Sequence, residues 1–226
     1  MTTPPPSRPH RRFDLIVFDW DGTLFDSTML IVHCIQAGCR DIGVAAPSDQ
    51  DAAYVIGLGL HDALQHAVPG LPAGRYPELG QAYRRRYGAS QHELVLFPGT
   101  LPMLQALKDR GHRLAVATGK NRRGLDDALA HSKLNGVFDG SRTADETASK
   151  PDPLMLRELM AEFDVEPERT LMIGDTTHDL LMAAHAGTPR VGVSYGAHHH
   201  DTFEPHQPLF VAHSTAELHA WLVDHA

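Results

Sequence analysis

From residue 96 to the end of the chain, short apolar runs rich in β-branched residues alternate with helix-like segments, and only brief turns separate them. HRLAVAT (112–118), RTLMIGD (169–175), RVGVSY (190–195) and PLFVAH (208–213) read as strands, with a shorter one near GVFDG (136–140). The stretches 100–110, 121–133, 153–163, 176–187 and 215–223 read as helices. Such alternation leads to a parallel sheet covered on both faces, because parallel neighbours need a crossover and a helix supplies it. One further strand, FDLIVF (13–18), stands far upstream of this run.

The segment between that strand and LFPG (96–99) has a different pattern. Helices are expected over 27–43, 48–56, 60–67 and 75–90, broken by GLG at 57–59 and PGLPAG at 69–74, with no strand among them. Ser27 is the expected N-cap of the first helix, and Gly43 stands where it should stop. A stretch this long is too large for a loop. The expected organisation is therefore a disordered tail (1–12), a Rossmann-like doubly wound α/β core (13–25 and 96–226) and an inserted helical cap (26–95). A chain of 226 residues with 42% hydrophobic composition can bury a core and a smaller companion.

Composition excludes several classes of function. The net charge of −8 argues against a broad nucleic-acid footprint, though a few local cations can still dominate a cleft. No apolar run reaches the length of a membrane span, and MTTPPPSRPHRR lacks the apolar centre of a signal peptide. The two cysteines, Cys34 and Cys39, have no zinc-pair spacing and read as small apolar fillers on a helix. The expected address is the cytoplasm.

FDWDGTLFDS (18–27) then raises a problem of charge. Asp19 and Asp21 stand one residue apart at the end of an apolar strand, with Asp26 close behind. Like charges this close are costly unless a cation or a proton lies between them. In an open parallel sheet, ligands bind beyond the carboxyl ends of the strands. Thr118 and Gly119 follow the second strand, Asp175 follows RTLMIG, and Asp179 comes one helical turn later. Lys150 precedes Pro151, which favours an extended backbone there. All these polar groups are expected on one rim. Asp19, Asp21 and Asp175 would surround a hard divalent cation, best Mg²⁺, with Asp21 able to offer its backbone carbonyl and keep its carboxyl free. Gly22 permits the turn that brings the two aspartates to one ion. With cations present an aspartate can attack phosphorus, since they offset a repulsion of about 4 kcal/mol per pair of unit charges at 4 Å. Thr118 and backbone N–H groups at helix starts would hold the phosphate oxygens.

DWDGT, Thr118, Lys150 and GDTTHD, in this order, resemble the motifs of the haloacid dehalogenase superfamily, and more narrowly its phosphoglycolate phosphatase-like branch. The resemblance runs from residue 13 onward and includes the helical cap after the first motif. It implies that Asp19 is a nucleophile forming an aspartyl-phosphate and that Asp21 is general acid, then general base. It implies further that Thr118 binds the phosphoryl group, that Lys150 neutralises Asp19 and the phosphate, and that Asp175 and Asp179 bind Mg²⁺. Thr23 would steady the loop near Asp21. An acid at position 21 favours phosphoryl transfer over dehalogenation, and Thr23 stands where related sugar-phosphate mutases usually carry Val. The variable Trp20 carries no inference.

Other features read more plainly. Consecutive arginines in YRRRY (83–87) point in different directions on a helix and are expected to be solvated, with at most one facing the cleft. Gly57 and Gly59 are candidates for substrate contact on a turn over the site, as is Gly119 below it. Lys120 is expected to be exposed, with approach to an anionic substrate as the alternative, and HHH (198–200) to be a polar loop, with adventitious nickel or zinc binding as the alternative. The leading expectation is a Mg²⁺-dependent phosphatase acting on a small phosphorylated metabolite, with phosphoglycolate the first substrate to try. The alternatives are a sugar-phosphate mutase and a non-catalytic phosphate-binding protein. Neither substrate nor oligomeric state, monomer or homodimer, is written in the sequence.

Overall fold

The structure, a computed structural model, describes residues 11–226. Six strands form one parallel sheet: β1 (Leu15–Phe18), β2 (Arg113–Thr118), β3 (Gly140–Thr143), β4 (Thr170–Gly174), β5 (Arg190–Val193) and β6 (Val211–Ala212), ordered β3-β2-β1-β4-β5-β6. The sequence order reverses at β1, which pairs with both β2 and β4. β1 is buried at every position, as a central strand covered on both faces must be. One apolar layer packs on one face around Ile16, Phe18, Leu114, Val116, Leu171 and Ile173. The other packs Leu15, Val17, Ala115, Ala117 and Met172 against Met155, Leu159 and Met182. Alternating residues of the same strands feed opposite layers, which is the two-residue period of a strand.

The helices of the core are α5 (Thr100–Asp109), α6 (Arg122–His131), α7 (Leu154–Phe163), α8 (Thr177–Ala186) and α9 (Thr215–His225). Ahead of them, α1 (Thr28–Asp41), α2 (Asp49–Tyr54), α3 (Leu60–Ala67) and α4 (Tyr76–Ser90) gather around an apolar cluster of their own that includes Ile31, Ile35, Leu64 and Leu79. Cys34 and Cys39 are free and buried on α1.

Three local expectations need correction. Ser27 makes no side-chain cap for α1; its hydroxyl instead donates to Asp21. The strand expected near 136–140 starts only at Gly140, because Val137 and Phe138 turn inward to pack on the core. PLFVAH contributes only two strand residues, Val211 and Ala212. Of the tail expected over 1–12, only Arg11 and Arg12 fall among the described residues; Arg11 donates to the carbonyl of Gly111. No helix among the described residues is long and apolar enough to cross a membrane.

Candidate active site

The register of the sheet creates the site. Phe18 pairs with Ile173 and with Val116, so the chain leaves β1, β4 and β2 at neighbouring points of one rim. Asp19 and Asp175 therefore emerge side by side, with the Asp19 N–H still donating to the Ile173 carbonyl at 2.9 Å. Asp179 reaches the same point from the first turn of α8, where it closes a capping box with Thr176. Its Oδ2 accepts from the Thr176 N–H at 3.1 Å and hydroxyl at 2.6 Å, which leaves Oδ1 free to face inward.

Carboxylate oxygens of Asp19, Asp175 and Asp179 lie within 4.8 Å of one another, and all three side chains are buried. Lys150 joins them: its Nζ lies 2.7 Å from Asp19 Oδ1 and 2.7 Å from Asp179 Oδ1. Lys150 sits in a turn closed by a 3.1 Å bond from the Asp152 N–H to the Ser149 carbonyl, and its bond to Pro151 is cis. Three carboxylates and one ammonium leave the cluster short of positive charge. The electrostatics follow from that deficit. Burial works against the Lys150 charge, but Asp179 and Asp19 overcome it and raise its pKa. Asp19 is pushed well above the carboxylate range by burial and by Asp179 and Asp175, with Lys150 opposing. Burial and Asp179 lift Asp175 to about 7. Asp19 Oδ2 has no hydrogen-bond donor among the described residues, although it is fully buried. A buried oxygen without a partner among crowded carboxylates is what a divalent cation with oxygen preference would complete.

Asp175 is fixed from both sides. Its Oδ1 accepts from the Thr23 hydroxyl at 2.7 Å and its Oδ2 from the Ala197 N–H at 2.7 Å. Gly22 makes that approach possible: at φ +77° its missing Cβ would lie 2.1 Å from Asp175 Oδ2. Thr23 thus steadies Asp175 directly, rather than only the loop near Asp21.

Asp21 stands apart from this cluster. Its carboxylate turns away from Asp19 and toward a cleft, where Oδ1 accepts from Ser27 at 2.8 Å and Oδ2 pairs with Lys120 at 2.9 Å. Two aspartates one residue apart therefore serve two compartments; β1 has ended at Phe18, so the strand period that would put both on one face no longer applies. Thr118 ends β2 on the same rim, fully buried, with its hydroxyl accepting from the Lys120 N–H at 3.2 Å.

The helices of 28–90 close over this rim. The turn at 57–59 rests on Gly119, whose missing Cβ would meet Leu58 O at 2.3 Å and Gly57 O at 2.6 Å. The Gly59 N–H donates to Ser149 Oγ at 2.9 Å, one residue from Lys150. Lys120 donates to the Tyr87 hydroxyl at 2.8 Å and lies over its ring at 4.7 Å from the centroid. Burial works against its charge too, and Asp21 and Tyr87 hold its pKa above the ordinary lysine value. Exposure was the expectation for Lys120; pairing with Asp21 is the finding. The signal was its position two residues after Thr118, but no sequence pattern shows that α4 would supply a tyrosine to meet it.

The histidine loop also needs correction. His198 is buried, with Nδ1 accepting from the Thr177 N–H at 3.0 Å and Nε2 donating to the Tyr54 carbonyl at 2.9 Å. His178 Nε2 reaches the same carbonyl at 2.8 Å. Two core histidines thus clasp the last residue of α2. Burial depresses both, His178 to about 4. His199 and His200 remain exposed beside Asp201. Within YRRRY, Arg86 pairs with Asp41 across the helices, while Tyr83, Arg84 and Tyr87 line the cleft.

Comparison with known proteins agrees with this arrangement. Residues 16–193 match the model of the family described as haloacid dehalogenase-like hydrolase. The protein named "Probable phosphatase IndB" from Dickeya dadantii is 34% identical over 90% of this chain and 91% of its own length. A phosphoglycolate phosphatase from Vibrio vulnificus is 29% identical over 90% of this chain and 93% of its own. Among solved structures, a haloacid dehalogenase-like family hydrolase from Streptococcus pneumoniae superposes with a TM-score of 0.81 at 25% identity, covering 93% of this chain and 98% of that one. From the β1 aspartates to the capping box of α8, the chain belongs to the haloacid dehalogenase-like hydrolase family.

Proposed function

We propose that this protein is a Mg²⁺-dependent phosphatase that hydrolyses a small organic phosphomonoester through an aspartyl-phosphate on Asp19. The observation that carries this reading is the division of labour between Asp19 and Asp21. Asp19 presents a buried oxygen with no donor among the described residues, beside Lys150, Asp175 and Asp179, while Asp21 faces the cleft where a leaving alcohol would lie. Several relatives carry names of phosphatases, phosphoglycolate phosphatase among them, which makes phosphoglycolate the reference ester.

Asp19 Oδ2 attacks phosphorus; the new O–P bond forms as the bond to the ester oxygen breaks. Asp21 delivers its proton to that departing oxygen, so the product leaves as a neutral alcohol group. Asp21, now a carboxylate, takes a proton from water, whose oxygen attacks phosphorus. The Asp19–phosphorus bond breaks, inorganic phosphate departs and Asp19 returns to a carboxylate. Lys150 orients Asp19, and Thr118 with the N–H groups after β2 holds the phosphoryl oxygens. Asp19, Asp175, Asp179 and the Asp21 carbonyl would hold Mg²⁺, which would supply the positive charge the cluster lacks and offset the repulsion between Asp19 and the phosphate. The seated cap keeps bulk water from the first half-reaction. Two free, buried cysteines fit a reducing cytoplasm as its address.

The test is phosphate release from a panel of small esters with Mg²⁺ and with EDTA, for wild type and Asp19→Asn. Mg²⁺-dependent release that vanishes in the variant supports the reading. A folded wild type that releases phosphate from no ester overturns it.

A further inference from the structure

The cleft beside Asp21 is far larger than a two-carbon alcohol requires. Its volume is about 1000 Å³, at the upper end of the roughly 300–1,000 Å³ that pockets for drug-sized ligands occupy. That space remains although the cap is already seated. The clasp of His178 and His198 on Tyr54, the Gly59–Ser149 bond, the stacking of the 57–59 turn on Gly119 and the Lys120–Tyr87 bond are all formed. The volume is therefore a half-open cleft between docked parts, with room beyond the phosphoryl group for a sizeable alcohol.

The walls say what kind. Ile31, Ile35, Val55 and Leu58 line one part. Tyr83 and Tyr87 stack on the wall of the cleft, their ring centroids 5.8 Å apart and inclined by 24°, with Lys120 over the Tyr87 ring. The cation at the inner end, Lys120, is already held by Asp21 and Tyr87. Arg84 and Arg123 also line the cleft but are exposed. Asp62, Asp127 and Asp145 also line the cleft, so the apolar residues and the two tyrosines form one wall of it rather than the whole. A carboxylate two carbons from the ester oxygen would find the inner cation occupied, whereas a flat apolar body would bury against the tyrosines.

We infer that the substrate is a phosphomonoester whose alcohol carries a planar, apolar body that packs on Tyr83 and Tyr87, rather than a short anionic alcohol such as glycolate. The inference rests on the phosphatase reading above and refines it. The preference belongs to α4 and to the 57–59 turn, not to the aspartate cluster.

The experiment compares ethyl, butyl and 2-phenylethyl phosphate with phosphoglycolate and pyrophosphate. The three alkyl esters leave as alcohols of similar basicity, so differences in kcat/KM report the cleft rather than the leaving group. The expected result is kcat/KM for 2-phenylethyl phosphate about tenfold or more above ethyl phosphate and also above phosphoglycolate. Tyr83→Ala, checked for its fold by circular dichroism, should flatten the series to within about threefold. A flat series in the wild type, or phosphoglycolate or pyrophosphate as the best substrate, overturns the inference. Calorimetry with non-hydrolysable probes separates it from the reading it rests on. 3-Phenylpropylphosphonate should bind the Mg²⁺-loaded protein more tightly than 3-phosphonopropionate even if no ester is turned over; equal or weaker binding overturns the inference whatever the assay shows.

Discussion

The aspartate cluster and the cleft above it lie next to each other and are built by opposite rules. In the cluster, nearly every polar atom is held by main chain or by a partner fixed to main chain. Asp175 is held by Thr23 and the Ala197 N–H, Asp179 by its own capping box, and Lys150 between two carboxylates. In the cleft, side chains from α1, α3, α4 and the 57–59 turn meet around open space. The first region is tied down at nearly every polar group; the second leaves about 1000 Å³. On the proposed reading, chemistry is set by strand register, and substrate choice by the faces of helices that the register does not touch. Changes in the cluster should abolish turnover on every ester, and changes in the cleft should reorder esters.

The largest effect is expected at Asp19. Asp19→Asn should lower kcat by roughly 10⁴-fold or more on all esters alike, because a nucleophile acts as a unit with its partners. A loss confined to one ester would break the comparison. Lys150→Met should cut kcat as well and destabilise the fold by roughly 3–5 kcal/mol, since it leaves two buried carboxylates without their cation. Urea denaturation in EDTA checks this, and added Mg²⁺ should restore part of the loss.

How far these two regions were legible beforehand differs in the same way. The strand–helix alternation, the helical insert and the placing of Asp19, Thr118, Lys150, Asp175 and Asp179 on one rim follow from hydrophobic period and from where strands end. Those signals are local, and a parallel sheet turns them into neighbours. The direction of the Asp21 carboxylate was not legible, because it depends on Ser27 and Lys120, which reach it through tertiary packing. Nor was the Lys120–Tyr87 contact, which joins residues 33 apart through the seating of one unit on the other. His198 in HHH looked like its neighbours and differs from them only because Thr177 and Tyr54 enclose it.

That clasp sharpens the comparison with a smaller effect. His178 and His198 are neutral in the fold, with His178 held at about 4 by burial. A histidine whose folded pKa lies below its unfolded value of about 6.5 adds stability at higher pH and loses it as pH falls through the interval between the two. For His178 that interval is from about 6.5 down to about 4. His178→Gln should therefore lessen the loss of stability between pH 7 and pH 5 by on the order of 1–2 kcal/mol, read as unfolding free energy at each pH. An unchanged pH slope would show that the clasp carries no such linkage. The smallest effect is expected from Arg86→Ala, which removes an exposed pair with Asp41 and should change stability by about 1 kcal/mol or less.

The central claim, that Asp19 carries the phosphoryl group while Asp21 handles protons from the cleft side, has a direct test. Asp21→Asn is mixed with 4-nitrophenyl phosphate and Mg²⁺, quenched in acid and measured by mass spectrometry. Nitrophenolate leaves without a proton, so the first half-reaction proceeds while hydrolysis loses its base. The predicted result is a gain of about 80 Da on the peptide that contains Asp19, together with a stoichiometric burst of nitrophenolate. Nitrophenolate release with no phosphoryl group on the protein, or one carried by a different residue, would contradict the account.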